Sequence, residues 1–247
     1  MKSLFSRLIS SSKFLQHLYK KYRIWVKRRE YAGLTNEQIF TKVYSDKKWD
    51  ANLKSTDEFY SGPGSHEKCA DDYVDYLIDF IRKNNIQSIT DIGCGDFAVG
   101  YKITTAHPQI IYNGCDVVKS LIERNAMKYG SRNLHFLYLD AAKDALPAAE
   151  MATIRQVLQH LSNKDISLIL NKIKQYKYVL VTEHLFKKGI EKKINKDKPT
   201  GPDVRLAESS GVYLDKPPFS MPCKEVLRCR EDAYNQEAYL YSFLICN

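Results

Sequence analysis

The sequence has no run of about 18 apolar residues, the length a membrane-crossing helix needs. Its six cysteines, Cys69, Cys94, Cys115, Cys223, Cys229 and Cys246, include no C-x-x-C pair, so the spacing of a zinc site is missing and no metal is expected. A chain of 247 residues with so few cysteines is not a small disulfide scaffold either, and the expectation is free thiols in a reducing cytosol. Hydrophobic residues at 44% and charged residues at 27% are ordinary for a globular protein, which excludes disordered and collagen-like chains. The N-terminus lacks the continuous apolar region and small-residue cleavage site of a secretory signal, since Leu4-Phe5, Leu8-Ile9 and Phe14-Leu15 are short and interrupted. A cytoplasmic protein is therefore expected.

The net charge of +9 is unevenly spread. Residues 1–33 hold nine Lys or Arg against the single acid Glu30, while in the remaining 214 residues 29 bases face 28 acids. This is a near-neutral domain carrying a basic arm, and without an aromatic-basic stripe a nucleic-acid partner is not expected. Within the arm Leu4, Leu8, Leu15, Leu18, Tyr22, Trp25 and Val26 recur at helical spacing with lysines and arginines between them. Such a basic amphipathic helix suits the anionic cytoplasmic face of a membrane, bound peripherally. The competing reading packs it on its own domain or on a partner subunit.

From residue 34 to 70 the chain reads as a helical extension or lid. A helix start lies at Thr35-Asn36-Glu37-Gln38, an aromatic anchor at Trp49, and a turn-rich break at Tyr60–Ser65. The next helix, roughly 66–84, places Tyr73, Leu77, Phe80 and Ile81 on one face. Strand candidates then alternate with helices: 88–92, 110–116, 134–139, a weaker one at 150–154, and 178–182, with helices near 98–106, 118–129 and 163–175. Alternation of this kind means βαβ units with right-handed crossovers, an α/β doubly wound sheet over residues 71–247. Residues 186–222, rich in Lys, Pro and Gly, contain no convincing element and read as an acceptor loop or lid. The chain ends in two strand-like pieces, 224–230 and 237–246, expected to form an antiparallel hairpin on one sheet edge.

The chemistry centres on Thr90-Asp91-Ile92-Gly93-Cys94-Gly95-Asp96-Phe97, which follows the first strand and opens a helix. Gly93 and Gly95 permit a tight turn and close approach of a ligand to the backbone. With Ala98 they also match the dinucleotide pattern G-x-G-x-x-[GA], so a nicotinamide-dependent dehydrogenase is an alternative. Asp91 and Asp96 favour a cationic ligand over a pyrophosphate by Coulomb sign, and S-adenosylmethionine carries an ammonium, a sulfonium and no phosphate. Asp116 ends the second strand, where a carboxylate can accept both ribose hydroxyls. Asp140 ends the third, where its carboxylate or the Ala141 amide can pair with an adenine edge. Each aspartate alone could equally be a helix N-cap.

These residues resemble the class I S-adenosylmethionine-dependent methyltransferases over roughly residues 61–246. The resemblance implies a Rossmann-like sheet of seven mostly parallel strands with the last antiparallel, the helical N-terminal extension lying outside it. It implies S-adenosylmethionine as cofactor and S-adenosylhomocysteine as product. The cofactor residues it implies are Asp91, Gly93, Cys94, Gly95, Phe97, Asp116, Val117, Asp140, Ala141 and, in the stretch Ile154–Ser162, Gln156. A narrower resemblance, to bacterial sugar and surface-polysaccharide methyltransferases, is carried by Ser61–Ser65, Cys94–Phe97, His160-Leu161-Ser162, Thr200-Gly201 and Pro217–Pro222. Val99 stands where that subgroup often has Trp. The implied reaction is O-methylation of a sugar hydroxyl. RNA or another small molecule as acceptor, or an inactive scaffold, are the alternatives.

Methyl transfer from a sulfonium is an in-line displacement that requires alignment and removal of the acceptor's proton. His160, after the fourth strand, is the candidate base, with a helix-start histidine bonded to backbone as the competing reading. Glu183 and His184, expected to follow the fifth strand at the same sheet edge, are candidates for base or for acceptor hydroxyl binding. Ser61, Arg205 and Lys216 are the candidate acceptor-binding residues.

Overall fold

The computed structural model describes residue 15, residues 18–19, residue 22, and residues 29–50, 59–65, 68–190 and 193–247, with Pro63 described by its backbone alone. The chain divides into two compact units, Met1–Thr35 and Asn36–Asn247. In the first, Leu15, Leu18, Tyr19 and Tyr22 are helical and exposed. The rest of the predicted amphipathic stripe, with most of its basic residues, lies outside the described residues. Among the described residues no helix is long and apolar enough to cross a membrane.

The second unit opens with helix α1 (Asn36–Ser45), which buries Ile39, Phe40, Val43 and Tyr44. Helix α2 (Lys68–Asn84) follows, its buried face including Tyr73, Leu77 and Ile81 as the spacing predicts, with Phe80 partly buried against Tyr178. The βαβ series then runs β1 (Ser88–Ile92), α3 (Ala98–Ala106), β2 (Ile111–Asp116), α4 (Lys119–Tyr129), β3 (Leu134–Tyr138), β4 (Met151–Arg155), α5 (Asn163–Lys172) and β5 (Tyr178–Phe186). Two-residue strands β6 (Lys193–Ile194) and β7 (Ser210–Gly211) pair with each other, and β8 (Lys224–Arg230) and β9 (Ala238–Cys246) end the chain.

The main sheet has seven strands in the order β3-β2-β1-β4-β5-β9-β8. Its first five strands are parallel, and β9 runs antiparallel to both β5 and β8. The C-terminal hairpin thus docks its second strand on β5 and leaves β8 at the edge. The order reverses at β1, and in open α/β sheets such a switch point opens a crevice beyond the strand ends. The core packs α2 against β1, β2 and β4 through Leu77, Ile89, Tyr112 and Met151, all at most 2% exposed.

Three expectations are corrected. Strand β5 runs four residues past Thr182, because β9 pairs with it along its whole length to Phe186↔Ala238. Glu183 and His184 therefore lie inside a strand, where successive side chains point to opposite faces. The cysteines are not all free: Cys69 of α2 and Cys229 of β8 form a disulfide with Cα atoms 5.5 Å apart, while Cys94, Cys115, Cys223 and Cys246 are free. That pair is 160 residues apart in sequence and meets because β8 packs beside α2, which no local spacing reveals. Finally, the 186–222 region is not featureless. Asn195 pins it, donating to the carbonyls of Tyr213 and Pro217 and accepting from the Tyr213 amide.

Candidate functional site

The loop after β1 is tied to the end of β2. The amides of Gly93 and Cys94 both donate to the Cys115 carbonyl, at 2.8 and 3.0 Å. Gly93 sits at φ +78°, and a Cβ there would come within 2.4 Å of Val157 Cγ2, so no other residue fits without a shift. Asp116 closes the turn from β2: Oδ2 accepts from the Gly95 amide and Oδ1 from the Val118 amide, each at 3.1 Å. Burial lifts its carboxyl to about 6, against the pull of those amides.

Beyond the carboxyl ends of these strands lies a cavity of about 300 Å³. Gly93, Cys94, Gly95, Asp116 and Val117 line one part of it, joined by Asp140 and Ala141 from the end of β3. Burial holds the Cys94 thiol protonated, well above its ordinary range. Gln156, His160 and His184 line the part beyond β4 and β5. Ser61 also lines it, but its Oγ accepts from the Asp96 amide at 2.7 Å and meets the Tyr44 hydroxyl at 2.9 Å. The predicted acceptor residue is thus bound into the glycine loop.

Five predicted site residues do not reach the cavity lining. Asp91 is the penultimate residue of β1, and its carboxylate accepts from Tyr112 Oη on β2 and Thr153 Oγ1 on β4, at 2.5 and 2.7 Å. Phe97 is fully buried in an aromatic cluster, its ring centroid 4.9 Å from that of Phe136 and 5.2 Å from that of Tyr112. Its backbone, at φ +68°, turns the chain into α3. Glu183, fully buried, points away from the cavity and accepts from the amides of Leu158 and Gln159 at 2.9 and 3.1 Å. Burial pushes its carboxyl up to about 8. Arg205, 1% exposed, spends its guanidinium on the carbonyls of Lys196 and Leu161. Lys216 is exposed and paired with Asp215 at 3.0 Å.

Glu183 nevertheless helps build the support of His160. The helical turn Leu158–His160 is held by Glu183 through two amides, while the His160 carbonyl accepts from Lys198 Nζ at 3.1 Å and from the Gly201 amide at 3.0 Å. The His160 side chain is buried, and its Nδ1 has no hydrogen-bond partner. Burial, and then the charge of Lys198, push the imidazole down to about 3, so it is neutral at physiological pH. His184 Nε2 lies 2.7 Å from the Glu231 carbonyl oxygen, which fixes the ring in the cavity wall.

Sequence reasoning missed the contribution of α1. Asn36, Phe40 and Tyr44 line the cavity at spacings of four residues, one helix face, and Trp49 follows them. Asn36 Nδ2 donates to both Asp140 oxygens, at 3.3 and 3.2 Å. The Trp49 ring lies 5.2 Å from His160 and 6.2 Å from Phe40, and its Nε1 donates to the Pro202 carbonyl. The i, i+4, i+8 pattern was readable, but nothing local tells a cavity-lining stripe from a core-facing one. Arg155, Gln159 and Glu231 also line the cavity and were not singled out. Among the described residues no three His, Cys, Asp or Glu side chains converge as metal ligands would.

The fold has many solved counterparts. The N-methyltransferase NodS from Bradyrhizobium japonicum WM9, in complex with S-adenosyl-L-homocysteine, is similar with a TM-score of 0.56 at 11% identity, covering 80% of this chain and 96% of NodS. Magnesium protoporphyrin IX methyltransferase (ChlM) from Synechocystis PCC 6803 with bound SAH gives a TM-score of 0.52 at 11% identity, covering 85% of this chain and 99% of ChlM. At such identity the likeness is one of fold. No curated protein matches the sequence. Residues 27–198, well over half of the chain, match the profile of the O-methyltransferase domain. With the glycine loop, Asp116 and Asp140 assembled on a sheet of this topology, the chain belongs to the O-methyltransferase domain family.

Proposed function

We propose that the protein is an S-adenosylmethionine-dependent methyltransferase that O-methylates a sugar hydroxyl, with His160 as the base. The observation that carries the reading is convergence: three successive strand ends deliver Gly93–Gly95, Asp116 and Asp140 to one cavity whose lining also holds a neutral, buried imidazole. The two glycines let the backbone approach the ligand, and the positions of Asp116 and Ala141 in the cavity lining support reading them as partners of the ribose hydroxyls and the adenine edge. When bound, the cofactor supplies a methyl group already activated on a sulfonium.

The chain's own residues then orient the acceptor, exclude water and take one proton. His160 is the candidate for that proton on position, since it lines the cavity with its Nδ1 unpartnered. The burial and the Lys198 charge that push the imidazole down to about 3 oppose its taking the proton. Its clamp of Glu183, Lys198 and Gly201 holds the backbone that presents it. Trp49 and Phe40 beside the imidazole offer apolar surface on which the C–H face of a sugar ring can lie. The motif resemblance at Ser61–Ser65 and Pro217–Pro222 supports the same acceptor class.

The test is transfer from methyl-labelled donor to a panel of nucleotide sugars, glycans, phenols and RNA. A sugar product, lost by about 10²- to 10⁴-fold in His160→Ala with S-adenosylhomocysteine affinity retained, is expected. Labelled RNA or phenol with unlabelled sugars overturns the acceptor, and failure to bind S-adenosylhomocysteine overturns the reading altogether. The basic arm, in the same proposal, brings the enzyme to an anionic membrane surface. Full-length protein should float with anionic liposomes at low salt and not at high salt, and removal of residues 1–33 should abolish flotation.

A further inference from the structure

The lining of the cavity contains three acids, Asp116, Asp140 and Glu231, and one Lys or Arg, which is Arg155. Arg155 is the last residue of β4, at the carboxyl edge of the sheet beside Gln156. Its Nη2 donates to the Gly64 carbonyl at 2.7 Å, and its Cζ lies 5.3 Å from the centroid of the Tyr73 ring. Its Nε is buried without a hydrogen-bond partner. None of the ion pairs formed among the described residues includes it. The nearby carboxylate of Asp91 already accepts from Tyr112 and Thr153.

A guanidinium carries five N–H donors in a planar fork that matches a carboxylate. Held largely out of water, with the Glu231 and Asp91 charges acting on it but no direct ion pair, such a cation gains from an anion that meets its fork. The turn in front of it is docked tightly: a Cβ on Gly64 would fall 2.4 Å from Gln156 Nε2, so the turn 61–65 and the residues 155–156 form one continuous wall. Resting on the reading that this cavity takes S-adenosylmethionine, we propose that Arg155 binds the carboxylate of the cofactor's amino-acid tail. The cofactor carries one carboxylate, and the cavity offers it one guanidinium. The aspartates on the other strand ends are left to the hydroxyls and the positive charges.

A merely structural Arg155, propping the turn through Gly64, predicts something different: its loss would weaken every ligand of the cavity alike. The experiment therefore compares two ligands on full-length protein by calorimetry, S-adenosylhomocysteine and its decarboxylated analogue, which keeps the nucleoside, the sulfur and the amine. Wild-type protein should prefer S-adenosylhomocysteine by about 10- to 100-fold, as a charge-assisted pair would give. In Arg155→Met that preference should shrink to within about threefold, and in Arg155→Lys it should be intermediate, since a point charge replaces the fork. Equal affinity of wild-type protein for the two ligands overturns the proposal, and so does a preference that survives in Arg155→Met. If Arg155→Met does not fold, the wild-type and Arg155→Lys titrations decide on the same criteria. Wild-type protein that binds neither ligand overturns the cofactor reading underneath, a result distinct from loss of carboxylate preference alone.

Discussion

Four acids sit at or near the carboxyl ends of parallel strands, and they divide into two pairs with opposite fates. Asp116 and Asp140 line the cavity, whereas Asp91 and Glu183 are enclosed in the fold. The difference is a matter of a few residues along the strand. Asp116 is the last residue of β2, and Asp140 lies two residues beyond β3. Asp91 is one residue short of the end of β1 and stands directly opposite Thr153 of β4, which donates to it. Glu183 lies three residues inside β5, on the face where the turn carrying His160 presents two amides. All four acids meet donors, Asp116 from the Gly95 and Val118 amides and Asp140 from Asn36 and the Ala142 amide. What separates the pairs is therefore position: at or past the strand end a carboxylate still lines the cavity, and inside the strand it does not.

The contrast can be broken most forcefully at Glu183. Replacement by alanine leaves the amides of Leu158 and Gln159 buried without acceptors, a loss of about 2–5 kcal/mol, while Asp140→Ala should cost about 1 kcal/mol. Urea unfolding measures both, and equal losses would erase the distinction. A smaller effect is expected at β1. Asp91→Ala strands the Tyr112 and Thr153 hydroxyls and should lower stability by about 1–3 kcal/mol with S-adenosylhomocysteine binding kept, whereas Asp116→Ala, which frees the Gly95 and Val118 amides, should lower both stability and S-adenosylhomocysteine affinity. Unchanged stability in Asp91→Ala together with lost binding would move Asp91 to the other pair.

The smallest effect is one of pH. Glu183 ionises near 8 in the folded protein against an ordinary value of 4.5, so between these values the folded state holds a proton that the unfolded chain has released. Stability from this group is complete below the unfolded value and is lost as pH rises towards 8. Asp116, at about 6 when folded, is largely ionised above pH 6.5. His160, whose unfolded value is 6.5, and Lys198, at about 8 when folded against 10.5, each add about 0.4 kcal/mol of stability between pH 6.5 and 8. Glu183 outweighs these opposing groups in the window from about 6.5 to 8, and the stability should fall there by about 1 kcal/mol. Thermal unfolding across that range should show the fall in wild-type protein and no fall, or a slight rise, in Glu183→Gln.

Much of the fold was legible because its signals are local. Helices α3 and α4 and strands β1 to β3 were readable to within a residue from periodicity and turn residues, and α5 with the short helical turn after it spans the predicted 163–175. Strand β4 was faint because Met-Ala-Thr-Ile-Arg has neither alternation nor a long apolar run, being buried over four of its five residues between two neighbours. The far half of β5 was invisible because Glu183 and His184 look like loop residues until β9 supplies a partner for each. The site followed the same rule. Gly93 and Asp116 act through backbone within a few residues, or across one strand pair, and they declared themselves in the sequence.

The βαβ order, the glycine turn and the acids that end or follow the second and third strands are set by residues acting on their near neighbours. Each depends on φ, ψ and hydrogen bonding among near neighbours. Which charges face the cavity was settled by packing between distant parts of the chain. Asn36 meets Asp140 across 104 residues, Arg155 meets Gly64 across 91, and Cys69 joins Cys229 across 160. Contacts at such separations leave no periodicity in the chain, because the sheet order that brings them together is chosen by burial of whole faces rather than by any residue's own neighbours.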